Sequence, residues 1–149
     1  MSELRELYND VILGHTKKPR NFGPLEDATA TAVGYNPLCG DKFVVRMKIE
    51  DERIVDIRFE GDGCSISKAS ASVMTETLKG KTLEEAKELG VVFRDLATGQ
   101  LEGTDRLDDL GKMAVFSGVS EFPVRVKCAT LAWHTMDAAM AGKDEISTE

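Results

Sequence analysis

The stretch KFVVRMKIEDERIVDIRFE, residues 42–60, decides the fold. Apolar and polar residues alternate in both of its halves, although Val44 interrupts the polar side of the first half. The alternating apolar residues are Phe43, Val45, Met47 and Ile49 in the first half and Val55, Ile57 and Phe59 in the second. A period of two on both sides of the polar turn at residues 51–53 predicts two antiparallel strands, each with one buried face.

The flanking segments extend this strand pair in both directions. Upstream, residues 2–14 have the apolar spacing of a helix, and residues 28–35 are rich in Thr and Val, which predicts a further strand. Downstream of Gly63 the apolar spacing is helical throughout. The helices predicted there cover residues 66–77, residues 82–89 between a Thr82/Glu85 capping box and Gly90, the glycine-interrupted residues 92–116, and residues 129–140.

Strands followed by helices predict the α+β class: a small antiparallel three-stranded sheet packed against several helices on one face. No repeat or linker divides the chain, so residues 1–149 are expected to form one domain. The polar residues 143–149 are expected to be a disordered tail.

The composition argues against several classes of partner. The net charge is −7, and no cluster of Lys and Arg is interleaved with aromatic residues, so we expect neither nucleic acid nor an anionic membrane as a partner. No apolar run approaches the length of a membrane span, and the charged N-terminus lacks the apolar core of a signal peptide. We therefore expect a cytoplasmic protein whose thiols stay reduced.

Cys39, Cys64 and Cys128 are the candidate functional residues, and their odd number argues against a disulfide framework. Each lies at a predicted boundary: Cys39 between the first two strands, Cys64 where a helix follows the third strand, and Cys128 near the start of the last helix. The helix N-termini at Cys64 and Cys128 would lower the thiol pKa and favour the thiolate. Three unrelated buried thiols are the alternative, because no Cys-x-x-Cys pair marks a metal site.

Asp41 is the best candidate for the fourth ligand that a tetrahedral Zn²⁺ or an iron–sulfur cluster requires. The alternative is a turn aspartate that caps local N–H groups. Two histidines are weaker candidates. His15 could act as a cation at the end of the first helix or touch the site, and His134 is expected to be a surface or partly packed residue.

Four motifs resemble those of the IscU/NifU-type iron–sulfur scaffold proteins, over residues 4–142. They are GHTKKPRNFG at 14–23, NPLCGD at 36–41, GDGCSIS at 61–67 and FPVRVKC at 122–128. The resemblance implies that Cys39, Asp41, Cys64 and Cys128 bind zinc or hold a nascent cluster, and that a cysteine desulfurase supplies the sulfur.

Several departures make the chain more similar to the SufU branch of that family. Lys127 stands where the housekeeping scaffolds have a histidine, the segment between the second and third cysteines is longer, and residues 97–106 lack a Leu-Pro-Pro-Val-Lys motif. The resemblance then implies a zinc-dependent carrier, rather than a stand-alone enzyme, that accepts persulfide sulfur from a SufS-type desulfurase. Lys127 and Arg125 are expected to offset part of the negative charge of the site.

We expect Cys39 to accept the sulfur, because its Pro-Leu-Cys-Gly loop is the least constrained of the three settings, with Cys128 as the rival. One alternative function is a scaffold on which a 2Fe–2S cluster is assembled for downstream assembly proteins. Another is a structural zinc-binding interaction domain. A thiol-dependent enzyme is disfavoured because no histidine is near a cysteine in the sequence.

Overall fold

The computed structural model describes residues 2–37, 40–100, 111–119 and 122–147. The helices are α1 (Ser2–Lys17), α2 (Ser65–Leu78), α3 (Leu83–Ala97), a 3₁₀ helix (Gly111–Val119) and α4 (Pro123–Met140). The strands are β1 (Ala30–Asn36), β2 (Asp41–Glu50), β3 (Arg53–Asp62) and β4 (Glu145–Ser147). None of these helices is long and apolar enough to cross a membrane.

The alternating stretch forms the β2–β3 hairpin, as predicted. Both β1–β2 and β2–β3 are antiparallel, and the sheet order is β3-β2-β1-β4. Phe43, Val45, Met47, Ile57 and Phe59 are fully buried, as the alternation predicts. Val55 was expected on the same face but is 37% exposed, and Ile54 is buried in its place, because the β2–β3 register shifts at Lys48/Ile49. Helices α2 and α4 pack on this face, which confirms the predicted α+β class.

The sheet has a fourth strand, which the sequence analysis placed in a disordered tail. Residues 145–147 form β4 and pair in parallel with β1, with Val33 opposite Glu145 and Tyr35 opposite Ser147. The segment is polar and short, so its own pattern carries no strand signal. It pairs because α4 ends beside β1 and the chain turns there, where the Val33 N–H donates to the Asp144 carbonyl at 2.8 Å.

Helix α3 does not end at Gly90, contrary to the prediction. The Thr82/Glu85 capping box is present, but the helix continues to Ala97 because its second half packs on α4. Phe93 stacks on Trp133 with ring centroids 4.6 Å apart, and this burial outweighs the low helix propensity of glycine. Of the predicted helical stretch 92–116, residues 101–110 lie outside the described residues, and a 3₁₀ helix follows from Gly111.

Helix α4 begins earlier than its apolar spacing predicts. Pro123 stands in its first turn, a position that suits proline because its fixed φ is helical and its missing N–H has no partner there. Cys128 therefore lies in the second turn of the helix and not at its N-terminus. The helix N-terminus was expected to favour the Cys128 thiolate, and this expectation is wrong. The electrostatic influence of a helix N-terminus falls off within the first turn.

Candidate metal centre

Three strand ends meet at one end of the sheet and form the floor of the candidate site. Because neighbouring strands are antiparallel, the end of β1, the start of β2 and the end of β3 lie side by side. Asn36 pairs with Asp41 as the last β1–β2 pair, and Lys42 pairs with Asp62 as the last β2–β3 pair. Helix α2 begins directly beyond this end, at Ser65.

Asp41 is 2% exposed and accepts three hydrogen bonds through its carboxylate. Its Oδ1 accepts from the Cys64 backbone N–H at 2.9 Å. Its Oδ2 accepts from the Ser67 hydroxyl at 2.6 Å and from the Asn36 side-chain amide at 3.2 Å. Two of these partners lie far away in the sequence, so the alternative of an aspartate that caps only its own turn is wrong.

Cys64 is the N-cap residue of α2, as predicted. Its Sγ accepts a hydrogen bond from the Ser67 backbone N–H at 3.4 Å, and the Ser67 hydroxyl lies at the same distance. The preceding Gly63 lets the chain pass close to the carboxylate, since a Cβ at this position would lie 2.5 Å from Asp41 Oδ1. The glycine is therefore needed for the close approach of the segment after β3 to the Asp41 side chain.

Cys128 reaches the same point from the opposite side, from the buried face of α4. It is 3% exposed, and its Sγ accepts a hydrogen bond from the Asn36 side-chain amide at 3.5 Å. The candidate ligand atoms of Asp41, Cys64 and Cys128 all lie within 4.8 Å of one another. The fourth predicted ligand, Cys39, lies outside the described residues; by sequence it stands between Asn36 and Asp41, the residues that border the site.

The thiol of Cys64 ionises more readily than that of an ordinary cysteine. Its pKa is lowered from 9.0 to about 6, first by a hydrogen bond with the Cys128 side chain. Burial opposes this shift, the hydroxyl and N–H of Ser67 support it, and the negative charge of Asp41 opposes it. The lowered pKa favours the thiolate of Cys64, which is the form that binds metal or attacks sulfur.

Arg125 and Lys127 are not brought to the three groups in the part of the chain that the structure describes. Arg125 is exposed, and its guanidinium lies over the Phe122 ring, 4.5 Å from the centroid. Lys127 lines a cleft of about 400 Å³ between α3, α4 and β4, together with Arg94 and His134. Successive residues of a helix point in different directions, so Lys127 does not face the same side of α4 as Cys128.

His15 does not act as a cation at the end of α1. Its Nδ1 lies 2.6 Å from the Ser72 hydroxyl and its Nε2 lies 3.2 Å from Lys112 Nζ, so its contacts are with α2 and the 3₁₀ helix. Burial, Arg20 and Lys112 lower its pKa to about 4, against the opposing effect of Glu76, and the ring is neutral at physiological pH. His134 is partly buried, as expected.

Asn36 and Ser67 hold the candidate ligands together, and neither role was predicted from the sequence. The sequence positions of both residues could have indicated these roles. Asn36 stands directly before the four-residue connection that ends at Asp41, so it faces Asp41 across the hairpin. Ser67 stands three residues after Cys64, the spacing at which an N-cap side chain meets the helix backbone.

The donor set fits a soft or borderline divalent metal. Two thiol groups and a carboxylate converge, and zinc accepts both donor types at tetrahedral sites. The site is partly buried and its carboxylate is already oriented, which favours binding over free side chains. The fold and the site thus define an α+β protein with a candidate metal centre of two cysteines and one aspartate at the end of its sheet.

Comparison with known proteins identifies the family. Residues 7–144 match the model of the NifU-like N terminal domain. The chain therefore belongs to the family of NifU-like N-terminal domains.

Its relatives include proteins named for two different activities. The chain is 43% identical over 143 residues to the zinc-dependent sulfurtransferase SufU of Bacillus subtilis, which covers 96% of this chain and 95% of that protein. It is 39% identical over 140 residues to the iron–sulfur cluster assembly scaffold protein IscU of Streptococcus pyogenes, covering 94% and 86% of the two chains.

Solved structures share the fold. A candidate iron–sulfur cluster assembly scaffold protein for the SUF system from Fervidobacterium islandicum superposes with a TM-score of 0.82 at 35% identity. The match covers 91% of this chain and 97% of that one.

Proposed function

We propose that this protein is a zinc-binding sulfur carrier of iron–sulfur cluster biogenesis, which accepts persulfide sulfur from a cysteine desulfurase. The convergence of Asp41, Cys64 and Cys128 within 4.8 Å carries the proposal, because it brings two thiols and a metal-type ligand to one point. The relation to a protein named zinc-dependent sulfurtransferase supports it. We propose a SufS-type enzyme as this desulfurase.

Zinc would be held by Cys39, Asp41, Cys64 and Cys128. Three thiolates and one carboxylate give the four ligands of a closed tetrahedral site. Bound zinc supplies no redox chemistry; it keeps the thiols deprotonated and protects them from oxidation. Asn36 and Ser67 orient the carboxylate from beneath.

The transfer itself is a thiol–persulfide exchange. The acceptor thiolate attacks the terminal sulfur of the desulfurase persulfide, a new S–S bond forms on the acceptor, and the S–S bond of the desulfurase breaks. The desulfurase cysteine leaves as a thiolate, and any proton on the terminal sulfur moves with that sulfur, so charge and protons balance. Two electrons remain shared in one S–S bond throughout, so no external oxidant is required.

Cys39 is the proposed acceptor, and the setting of its rival supports this choice. Cys128 is 3% exposed and lies inside α4, so the attack geometry would require the helix to move. Cys64 is the N-cap residue of α2 and is engaged with Ser67. A cysteine in the connection between β1 and β2 can be presented to a partner without disturbing a helix.

Metal analysis and mass spectrometry test the proposal together. Natively purified protein should contain one zinc per chain, with at least two sulfur neighbours by X-ray absorption. After one turnover with a SufS-type desulfurase and cysteine, peptide mapping should find one added sulfur atom on Cys39, and Cys39→Ser should abolish acceptance. A persulfide on Cys128 alone, with Cys39→Ser fully active, would contradict the assignment.

A scaffold for cluster assembly is the second candidate, favoured by the relatives named as IscU scaffolds. In that case the same thiols would hold a 2Fe–2S cluster as cargo for downstream assembly proteins. Anaerobic incubation with ferrous iron, desulfurase and cysteine would then give a stable visible chromophore that is transferable to an apo-ferredoxin. Zinc that cannot be removed without unfolding, with no persulfide formed, would instead indicate a structural zinc domain.

A further inference from the structure

We propose that Ser67 and Asn36 are positioning residues, each of which bridges the Asp41 carboxylate to one of the two described thiols. The inference rests on the proposed metal-binding function of the site. Ser67 connects Asp41 with Cys64, and Asn36 connects Asp41 with Cys128. The two bridges arrange three ligand groups before any metal binds.

The Ser67 bridge consists of a short hydrogen bond and a contact to sulfur. Its hydroxyl donates to Asp41 Oδ2 at 2.6 Å and lies 3.4 Å from Cys64 Sγ. Its backbone N–H also donates to Cys64 Sγ, so both hydrogen-bond donors of the residue face the site. Ser67 is buried. It lies in the first turn of α2, three residues after the N-cap residue Cys64.

The Asn36 bridge uses one amide nitrogen for both contacts. The Nδ2 group donates to Asp41 Oδ2 at 3.2 Å and to Cys128 Sγ at 3.5 Å. An amide NH₂ has two donor hydrogens, so one nitrogen can serve two acceptors at once. Asn36 is fully buried at the end of β1, which leaves its side chain little freedom to turn away.

Ser67 differs from Ser70 and Ser72, further along α2, in what its hydroxyl contacts. The Ser70 hydroxyl donates to the Ala129 carbonyl, and the Ser72 hydroxyl meets His15 and the Arg20 N–H. Ser70 is likewise fully buried on the same helix, one turn further on. It therefore offers a matched control, with the same loss of a buried hydroxyl and no contact to the candidate ligands.

Loss of a bridge should weaken metal binding more than it changes the fold. A metal-ligating carboxylate depends on its own hydrogen-bond partners for orientation, and removing such partners typically lowers affinity about 10–100-fold. Both thiols remain in Ser67→Ala, so the number of sulfur ligands should not change. The effect should appear in the oxygen ligand and in the geometry around the metal.

The experiment compares wild-type protein, Ser67→Ala, Asn36→Leu and the control Ser70→Ala. Zinc affinity is measured by competition with a chromophoric chelator. Co²⁺ is then substituted, because its sulfur-to-metal charge-transfer bands report the thiolate ligands and its d–d bands report coordination geometry. Circular dichroism of the metal-free proteins shows which variants are folded.

We expect Ser67→Ala and Asn36→Leu to bind zinc about 10–100-fold more weakly, with shifted d–d bands and unchanged charge-transfer intensity. Ser70→Ala should retain the wild-type spectrum. Ser67→Ala with wild-type affinity and spectrum would overturn the inference, and this variant decides alone if Asn36→Leu does not fold. Wild-type protein without zinc or cobalt binding would instead refute the proposed function.

Discussion

The absence of a side chain on Gly63 allows the Asp41 carboxylate to lie close to the backbone before Cys64. The Asp41 carboxylate is held by three hydrogen bonds and cannot easily turn away from an added atom. A Cβ on Gly63 would lie 2.5 Å from Oδ1 and 3.0 Å from Cγ of this carboxylate. Either the carboxylate or the backbone before Cys64 would therefore have to shift.

Gly63→Ala should consequently disturb both stability and the site. We expect the free energy of unfolding to fall by about 1–3 kcal/mol, as for other overpacked positions, and zinc affinity to fall with it. Urea titration of the metal-free protein and chelator competition measure the two effects. The control is Gly14→Ala in α1, where a Cβ meets no atom within 4 Å and neither a loss of stability nor a change in zinc affinity is expected. Wild-type stability and zinc affinity in Gly63→Ala would refute the argument.

At the scale of the elements, α3 shows that packing can carry a helix through a glycine. Gly90 lies in the middle of the helix, and a Cβ there would lie 3.8 Å from the nearest atoms of Met136 and Asp137. These are ordinary contact distances, so α3 packs on α4 without requiring a glycine. Gly90 therefore lowers the helix propensity of α3, and α4 does not lie so close that a glycine is required there.

Gly90→Ala should therefore raise stability, by up to about 1 kcal/mol, because alanine favours the helix and fits the space. Thermal unfolding followed by circular dichroism should show a higher midpoint. Gly34→Ala provides the contrast, since a Cβ on Gly34 would overlap Thr135 Oγ1 where α4 crosses β1. A lower midpoint for Gly90→Ala would mean that the contact with α4 is tighter than these distances indicate.

At the scale of the whole molecule, His15 joins α1 to α2 and to the 3₁₀ helix. Lys112 Nζ donates to His15 Nε2, and the ring can donate from Nδ1 to the Ser72 hydroxyl. Lys112 also bonds to Glu76 at 2.8 Å, and Glu76 lies 3.8 Å from Arg20. A second proton on the ring would place an N–H against the Lys112 ammonium, so this arrangement requires neutral His15.

His15 should make stability depend on pH in the acid range. The folded-state pKa is about 4 and the ordinary value is 6.5, so the unfolded chain binds the extra proton first as the pH falls. Stability should therefore decrease as the pH falls from about 6.5 to 4, by on the order of 3 kcal/mol from this residue. Urea unfolding at several pH values should show a flatter profile for His15→Gln, and identical slopes would contradict the assignment.

Much of the fold follows from local patterns that the sequence displays directly. The alternation in residues 42–60, the Thr82/Glu85 capping box and the position of Cys64 before α2 all depend on neighbours within a few residues. The α+β class follows from the order of these elements. A connection containing Cys39 was likewise predicted, between a strand that ends at residue 35 and one that begins at residue 42; the strands extend one residue further on each side.

The tertiary structure alone decided the contacts that make the site. Asn36 meets Cys128 across 92 positions of sequence, and Asp41 meets Ser67 across 26. Such contacts depend on strand register and on the rotation of α4, which also turns Lys127 away from its neighbour Cys128. The strand β4 and the continuation of α3 past Gly90 arise in the same way, because packing against a distant element outweighs a weak local preference.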